Sequence, residues 1–301
     1  MNRLNLFMVG APKCGTTALY EYLRPHPKIF LAEPKEPASL ASDMPRLHYL
    51  GNCRDYDELF ARAGPRHAVV GEGSTCYLYS ETALDRIREL NASAKILVML
   101  RNPVEAVVAF HSQMCYDLDE DQRDFETAWR LQEERREGRS MPASCRAAVR
   151  LQYRQVFLLG QHVEKVLRLF SREQVKLVLY DDFAADTRAV YQDVLRFLGV
   201  EDDGRTDFPR INASKVNRSR WLAAMTLQTP RSIMRPVAAV KEKLGIKSLG
   251  IGRALIWLNR REARRKPLPP ELRRELIEAF RDDVELLSRI MNRDLSHWLK
   301  Q

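Results

Sequence analysis

Long apolar runs are missing from this chain. No stretch of its 301 residues approaches the ~18 to 20 residues that cross a membrane as a helix, although 45% of the sequence is hydrophobic. The apolar start, Leu4 to Val9, is too short and too quickly broken by a loop to be a secretory signal. Cysteine is scarce: Cys14, Cys53, Cys76, Cys115 and Cys145 are scattered and odd in number. They form no CxxC pair, which argues against a disulfide framework and against zinc. Reduced thiols with packing roles are expected, and with them a cytoplasmic location. Internal repeats and low-complexity tails are absent too, so a solenoid or a disordered tail is not expected.

Acidic residues are scarce late in the chain. Between Arg205 and Lys266 sixteen Lys and Arg face only Asp207, Glu242 and Glu262, a local charge of +13 within a net +9, so the remainder is slightly acidic. Such a segment attracts an anionic nucleotide, an acidic acceptor, a lipid surface or nucleic acid through one long-range field. Residues 229–266 add apolar Ile251, Leu255, Ile256, Trp257 and Leu258 to these charges, as an acceptor lid or an insert that lies on an anionic surface would.

A further absence is local. Leu4 to Val9 reads as a strand, Gly10-Ala11-Pro12-Lys13-Cys14-Gly15-Thr16-Thr17 as a loop, and Ala18 to Leu23 as the start of a helix. A glycine-bearing loop that feeds a helix N-terminus aims backbone N–H groups and the positive end of the helix dipole at one point, an anion site. The phosphate loop of nucleoside triphosphatases places a lysine directly after its second glycine. Here Thr16 holds that place and the lysine, Lys13, sits inside the loop, beside the terminal part of a bound group.

The next missing residue is an aspartate. Lys95 to Leu100 is a buried-type strand without alternation, and in a magnesium-dependent nucleotide hydrolase such a strand ends on a metal-holding carboxylate. This one ends on Arg101, a fork suited to a second phosphate. Asn102 as cap and Pro103 at the first helical position then start a helix through Gln113. His67 to Glu72 reads as a shorter strand that ends on a carboxylate, where open α/β sheets collect functional groups.

Pro12-Lys13-Cys14-Gly15-Thr16-Thr17-Ala18-Leu19 resembles the 5′-phosphosulfate loop of sulfotransferases that use 3′-phosphoadenosine 5′-phosphosulfate (PAPS). Lys35-Glu36-Pro37 resembles a cleft-lining segment of the carbohydrate type, with Ala38-Ser39-Leu40 in place of the usual aromatic pair. Gly71-Glu72-Gly73-Ser74-Thr75-Cys76-Tyr77-Leu78 is similar to the family's GExSxxYL stretch, and Arg101-Asn102-Pro103-Val104-Glu105 to its 3′-phosphate element, where Ala109 replaces a serine. The resemblance, to bacterial, carbohydrate and heparan-sulfate-type enzymes, extends to Arg220. It implies a P-loop-like three-layer α/β/α fold with a mostly parallel sheet, a single sulfotransferase domain over 1–301, and sulfuryl transfer from PAPS to an acceptor hydroxyl without a metal.

By the same resemblance Pro12, Lys13, Cys14, Gly15, Thr16, Thr17 and Arg101 would bind the donor, joined by Lys215 and Arg218 from a late basic loop. Lys35 and Glu36 would meet the acceptor, Lys13 would stabilise the leaving phosphate, and Glu72 would be the base, with His111 in reserve. The implied acceptor is a sugar, a lipid-linked compound or a secondary metabolite, with no nucleic acid partner expected. A P-loop kinase and a non-catalytic nucleotide- or nucleic-acid-binding protein stay open as alternatives.

The remaining segments read as scaffold. Residues 117–139 suggest a solvated helix or flap anchored by Trp129, 150–170 a long helix, and 174–180 a strand. Asp186 should cap a helix over 187–198 that Gly199 ends, and 271–292 should be a last helix over the sheet.

Overall fold

The structure, a computed structural model, describes residues 4–51, 53–211, 215–217, 260–262 and 267–300. Five strands make one sheet: β1 (Leu6–Gly10), β2 (Ile29–Leu31), β3 (Val69–Gly73), β4 (Lys95–Leu100) and β5 (Val175–Leu179). Their order is β2-β3-β1-β4-β5 and every pairing is parallel, so the sheet expected to be mostly parallel is wholly so. All residues of β1 and β3 are buried, the continuous apolar reading of a strand covered on both faces. The chain runs from β1 out to β2 and back to β3, then crosses β1 to reach β4, and the carboxyl ends of strands at such a change of direction are where open α/β sheets collect ligands.

Ten α-helices lie among the described residues: α1 (Thr16–Leu23), α2 (Ala83–Leu90), α3 (Pro103–Asp117), α4 (Phe125–Arg130), α5 (Gln132–Arg136), α6 (Tyr153–Val156), α7 (Leu159–Leu169), α8 (Tyr180–Ala185), α9 (Thr187–Leu198) and α10 (Pro270–Met291). Their ends follow capping chemistry. Asn102 Oδ1 accepts the Val104 N–H at 3.0 Å, and Asp186 Oδ1 accepts that of Ala189 at 2.9 Å. Gly199, at φ 76°, closes α9 in the left-handed conformation.

The chain groups into two compact units. The first, 1–108 with 152–212 and 268–301, contains the five-stranded sheet. Within it α7 has no side-chain cap of its own. Instead the buried Asp283 of α10 accepts the Gly160 N–H at 2.8 Å and the Gln161 N–H at 2.9 Å. Asp283→Ala strands both N–H groups, so we expect a loss of ~2 to 3 kcal/mol of stability, read as a melting temperature lower by several degrees. The long helix expected over 150–170 is broken into a 3-10 turn, α6 and α7. Leu151, Tyr153, Val156 and Phe157 are all fully buried, more than one helical stripe can cover.

The second unit comprises 109–151 and 213–267. The charges of α4 and α5 are largely exposed around a buried Trp129, as expected, but the acidic start of the segment is not solvated. Glu120 and Arg135 pair bidentately at 2.6 and 2.7 Å with side chains 0% and 1% exposed, and the buried Asp119 accepts from Arg146 at 2.8 Å and from Arg150. Opposite charges buried in directly hydrogen-bonded pairs meet each other in place of water. A two-stranded antiparallel ribbon, β6 (Lys215–Asn217) with β7 (Arg260–Glu262), replaces part of the late loop.

Candidate active site

Parallel strands deliver their carboxyl ends to one edge. Because β1 lies between β3 and β4, the loop after β1 is flanked by Glu72 on one side and by Arg101 on the other. Register sets the detail: Phe7 lies opposite Glu72, and the Ala11 N–H reaches Met99 O at 2.7 Å, tying the loop to β4.

Within the loop Lys13 (φ 63°) and Gly15 (φ 91°) are left-handed, which turns successive N–H groups towards a common point. α1 begins at once, with Ala18 N–H and Leu19 N–H bonded to Gly15 O and no acidic side chain in the first turn. The N–H groups before them have no intrahelical acceptor and favour an anion. Gly15 is required twice over, because a Cβ there would meet the Tyr180 ring at 3.0 Å. Pro12, Cys14 and Thr16 are buried, and Lys13 and Thr17 half-buried. Burial pushes the Cys14 thiol up to about 12 despite the nearby charges of Arg101 and Lys13, so it packs as an inert thiol.

Arg101 is held from two sides. Its guanidinium lies 4.6 Å from the Tyr180 ring centroid, and Nη2 donates to Glu105 Oε2 at 2.6 Å. An arginine stacked in this way keeps its fork fixed in direction.

On the other side, β3 organises two carboxylates. Glu36 (φ 64°) is held through its own N–H to Gly73 O at 2.9 Å. Its carboxylate accepts the Thr75 N–H at 2.7 Å and pairs with Lys35, whose ammonium lies 5.8 Å from the Tyr20 ring centroid. The Glu36 side chain is 42% exposed and that of Lys35 13%. Glu72 is the opposite case, 1% exposed. Oε1 accepts the phenols of Tyr56 at 2.8 Å and Tyr77 at 2.6 Å, and Oε2 the Ser74 hydroxyl at 2.7 Å. Burial pushes the Glu72 carboxyl up to about 7, against the pull of these three donors and with help from the charge of Glu36.

The structure therefore brings residues 12–17, Lys35, Glu36, Glu72 and Arg101 to one edge of the sheet. Lys215 lies in β6, whereas Arg218 and residues 229–259 fall outside the described residues. His111 is buried within its own unit, bonded to Gln122 O at 2.9 Å and packed on Phe125, and burial pushes its pKa down. Tyr56, Thr75, Tyr180 and Glu105 received no role from the sequence. Tyr56 carries no local signal, because only folding of the 54–60 segment brings it to Glu72. Among the described residues no group of three or more His, Cys, Asp or Glu is placed to hold a metal ion. None of their helices is long and apolar enough to cross a membrane.

Comparison with known proteins supplies the context. A family model described as "Sulfotransferase domain" matches residues 4–224. The chain is 23% identical over 199 residues to heparan sulfate glucosamine 3-O-sulfotransferase 5 of Mus musculus, covering 64% of this chain and 52% of that protein. It is 25% identical over 250 residues to carbohydrate sulfotransferase 15 of Rattus norvegicus, with 65% and 44% covered. It thus spans about half the length of the curated relatives it matches. Among solved structures, a sulfotransferase from Alicyclobacillus acidocaldarius covers all of both chains, with a TM-score of 0.70 and 28% identity.

Proposed function

The chain belongs to the sulfotransferase domain family, and from that premise we propose that it moves a sulfuryl group from PAPS to a hydroxyl of a sugar, lipid-linked or secondary-metabolite acceptor. The observation that carries this is the anion loop after β1 set between a stacked arginine that follows β4 and two carboxylates, Glu72 in β3 and Glu36 in the loop after β2. The donor fits these residues. Left-handed Lys13 and Gly15 and the acid-free start of α1 suit the 5′-phosphosulfate on Pro12 to Thr17. The Arg101 fork suits the 3′-phosphate. Lys215 and Arg218 keep only the donor-binding role that the resemblance implies. Ala109 offers that phosphate no hydroxyl. A single catalytic domain in the cytoplasm, without a metal or a nucleic acid partner, belongs to the same reading, as does contact of 229–266 with an acceptor or an anionic surface.

PAPS brings sulfur already joined to a good leaving group. The acceptor oxygen bonds to sulfur as the bond from sulfur to the phosphate oxygen breaks, adenosine 3′,5′-bisphosphate departs, and the acceptor proton passes to a carboxylate. Lys13 and the loop N–H groups meet the charge that grows on the leaving phosphate. For the base, Glu72 has three of about four lone-pair sites taken and keeps one on Oε2. A second reading gives the proton to Glu36, and exposure favours it: a base must reach the acceptor, and Glu36 is 42% exposed where Glu72 is 1%.

Calorimetry with adenosine 3′,5′-bisphosphate in the absence of magnesium tests the donor. Micromolar binding is expected, tighter than that of AMP, and weaker by ~10 to 100-fold in Arg101→Ala, which loses a charge-assisted contact. Absent binding, or ATP binding that requires magnesium, would sink this reading in favour of a kinase or a nucleotide sensor.

A further inference from the structure

Two of the three hydroxyls around Glu72 make a second contact. Ser74 Oγ, which donates to Glu72 Oε2 at 2.7 Å, accepts the Ala38 N–H at 3.0 Å. Tyr77 Oη, which donates to Glu72 Oε1 at 2.6 Å, accepts the Leu40 N–H at 3.1 Å. Ala38 and Leu40 lie two and four residues beyond Glu36, in the segment that carries Lys35 and Glu36, and Ala38 is left-handed at φ 55°. A third donor, Tyr56, ties the separate 54–60 segment to the same carboxylate at 2.8 Å.

We propose that Glu72 is a positioning residue for the acceptor side of the site: its carboxylate directs the Ser74 and Tyr77 hydroxyl protons inward, leaving their oxygens to hold Ala38 and Leu40 and so to fix Lys35 and Glu36. The proposal rests on the sulfotransferase reading with Glu36 as base. Its physical core is the acceptor-only character of an ionised carboxylate. A hydroxyl has one proton. When that proton is committed to Glu72, the oxygen lone pairs are free for a backbone N–H, and the direction of every bond in the chain of contacts is settled. Tyr20, Tyr56, Tyr77 and Glu36, the last paired with Lys35, are the titratable groups that act on Glu72 or feel its charge. At pH 8, above the raised value of about 7, Glu72 is ionised.

Glutamine keeps the shape of Glu72 but turns one oxygen into an N–H donor. With its remaining oxygen towards the two phenols, its amide N–H groups face Ser74 Oγ. That hydroxyl then meets two donors, its own proton loses its acceptor, and the hold on Ala38 weakens. Amide exchange of the whole protein at pH 8, followed by NMR, reads this directly. Glu72→Gln is expected to speed exchange about tenfold at Ala38 while the amides of Met8, Leu97 and Val98 in the sheet stay protected. Ser74→Ala should speed Ala38 and leave Leu40 unchanged, and Tyr77→Phe should do the reverse, so the proposal stays testable if Glu72→Gln fails to fold. Unchanged exchange at both amides, or acceleration spread evenly over the sheet, overturns it.

In turnover, Glu72→Gln and Ser74→Ala should raise the acceptor KM several-fold and leave binding of adenosine 3′,5′-bisphosphate as it is. An equal fall of nucleotide affinity would overturn the acceptor-side assignment. If the wild type transfers no sulfuryl group, the sulfotransferase reading fails while the exchange pattern still decides the role of Glu72 in holding the segment.

Discussion

Lys13→Ala is expected to lower the turnover number for sulfuryl transfer by about 10² to 10³-fold, or ~3 to 4 kcal/mol of transition-state stabilisation. The magnitude follows from where charge develops. As sulfur leaves, negative charge grows on the bridging oxygen of the 5′-phosphate, and the loop N–H groups alone then meet it. The substitution isolates the ammonium cleanly, because lysine and alanine carry the same strain at φ 63° and the turn keeps its preference. The melting temperature should therefore stay close to that of the wild type, and adenosine 3′,5′-bisphosphate, which lacks the transferring group, should lose less affinity than turnover loses rate. Single-turnover kinetics with saturating PAPS measures the chemical step. A variant within a factor of about three of the wild type would remove Lys13 from the mechanism.

Glu36→Gln is expected to cost more in turnover than Glu72→Gln, about 10² to 10⁴-fold, the usual contribution of a positioned general base. The two variants should also fail in different ways. Loss of the base lowers the turnover number at an almost unchanged acceptor KM, because the proton moves only in the transition state. Loss of the positioning carboxylate raises KM, because the acceptor meets a segment that is no longer held. The structural contrast behind this is exposure. The Glu36 carboxylate is 42% exposed, beside Lys35 and against the Thr75 N–H, whereas Glu72 is enclosed by three hydroxyls. Steady-state kinetics of both variants with one acceptor decides the matter, and the opposite ranking, with Glu72→Gln the slower enzyme at unchanged KM, would return the proton to Glu72.

The two glutamates also mark how far local pattern reaches. Strand, loop and helix at Leu6 to Leu23, the strand that delivers Arg101, the Asn102 and Asp186 caps and the stop at Gly199 were all legible. Each depends on residues within a few positions of one another: a buried apolar run, a capping side chain, a glycine with no Cβ. The 150–170 segment and the acidic start of 117–139 differ from the sequence reading for a related reason. Periodicity and charge count do not say which residues meet: α7 takes its cap from Asp283 of α10, and Glu120 is buried against Arg135, 15 residues further on.

For the site, the sequence by itself determined which chemistry is present: an anion loop with a displaced lysine, an arginine at a strand end and carboxylates close to two others. Tertiary structure alone decided which groups share an environment. The order β3-β1-β4 sets Glu72, the loop and Arg101 side by side from positions dozens of residues apart, and folding of 54–60 brings Tyr56 to a carboxylate 16 residues further on. Whether a glutamate meets water or three buried hydroxyls depends on the whole surrounding shell, and that shell, assembled from separate segments, sets its pKa and its reach.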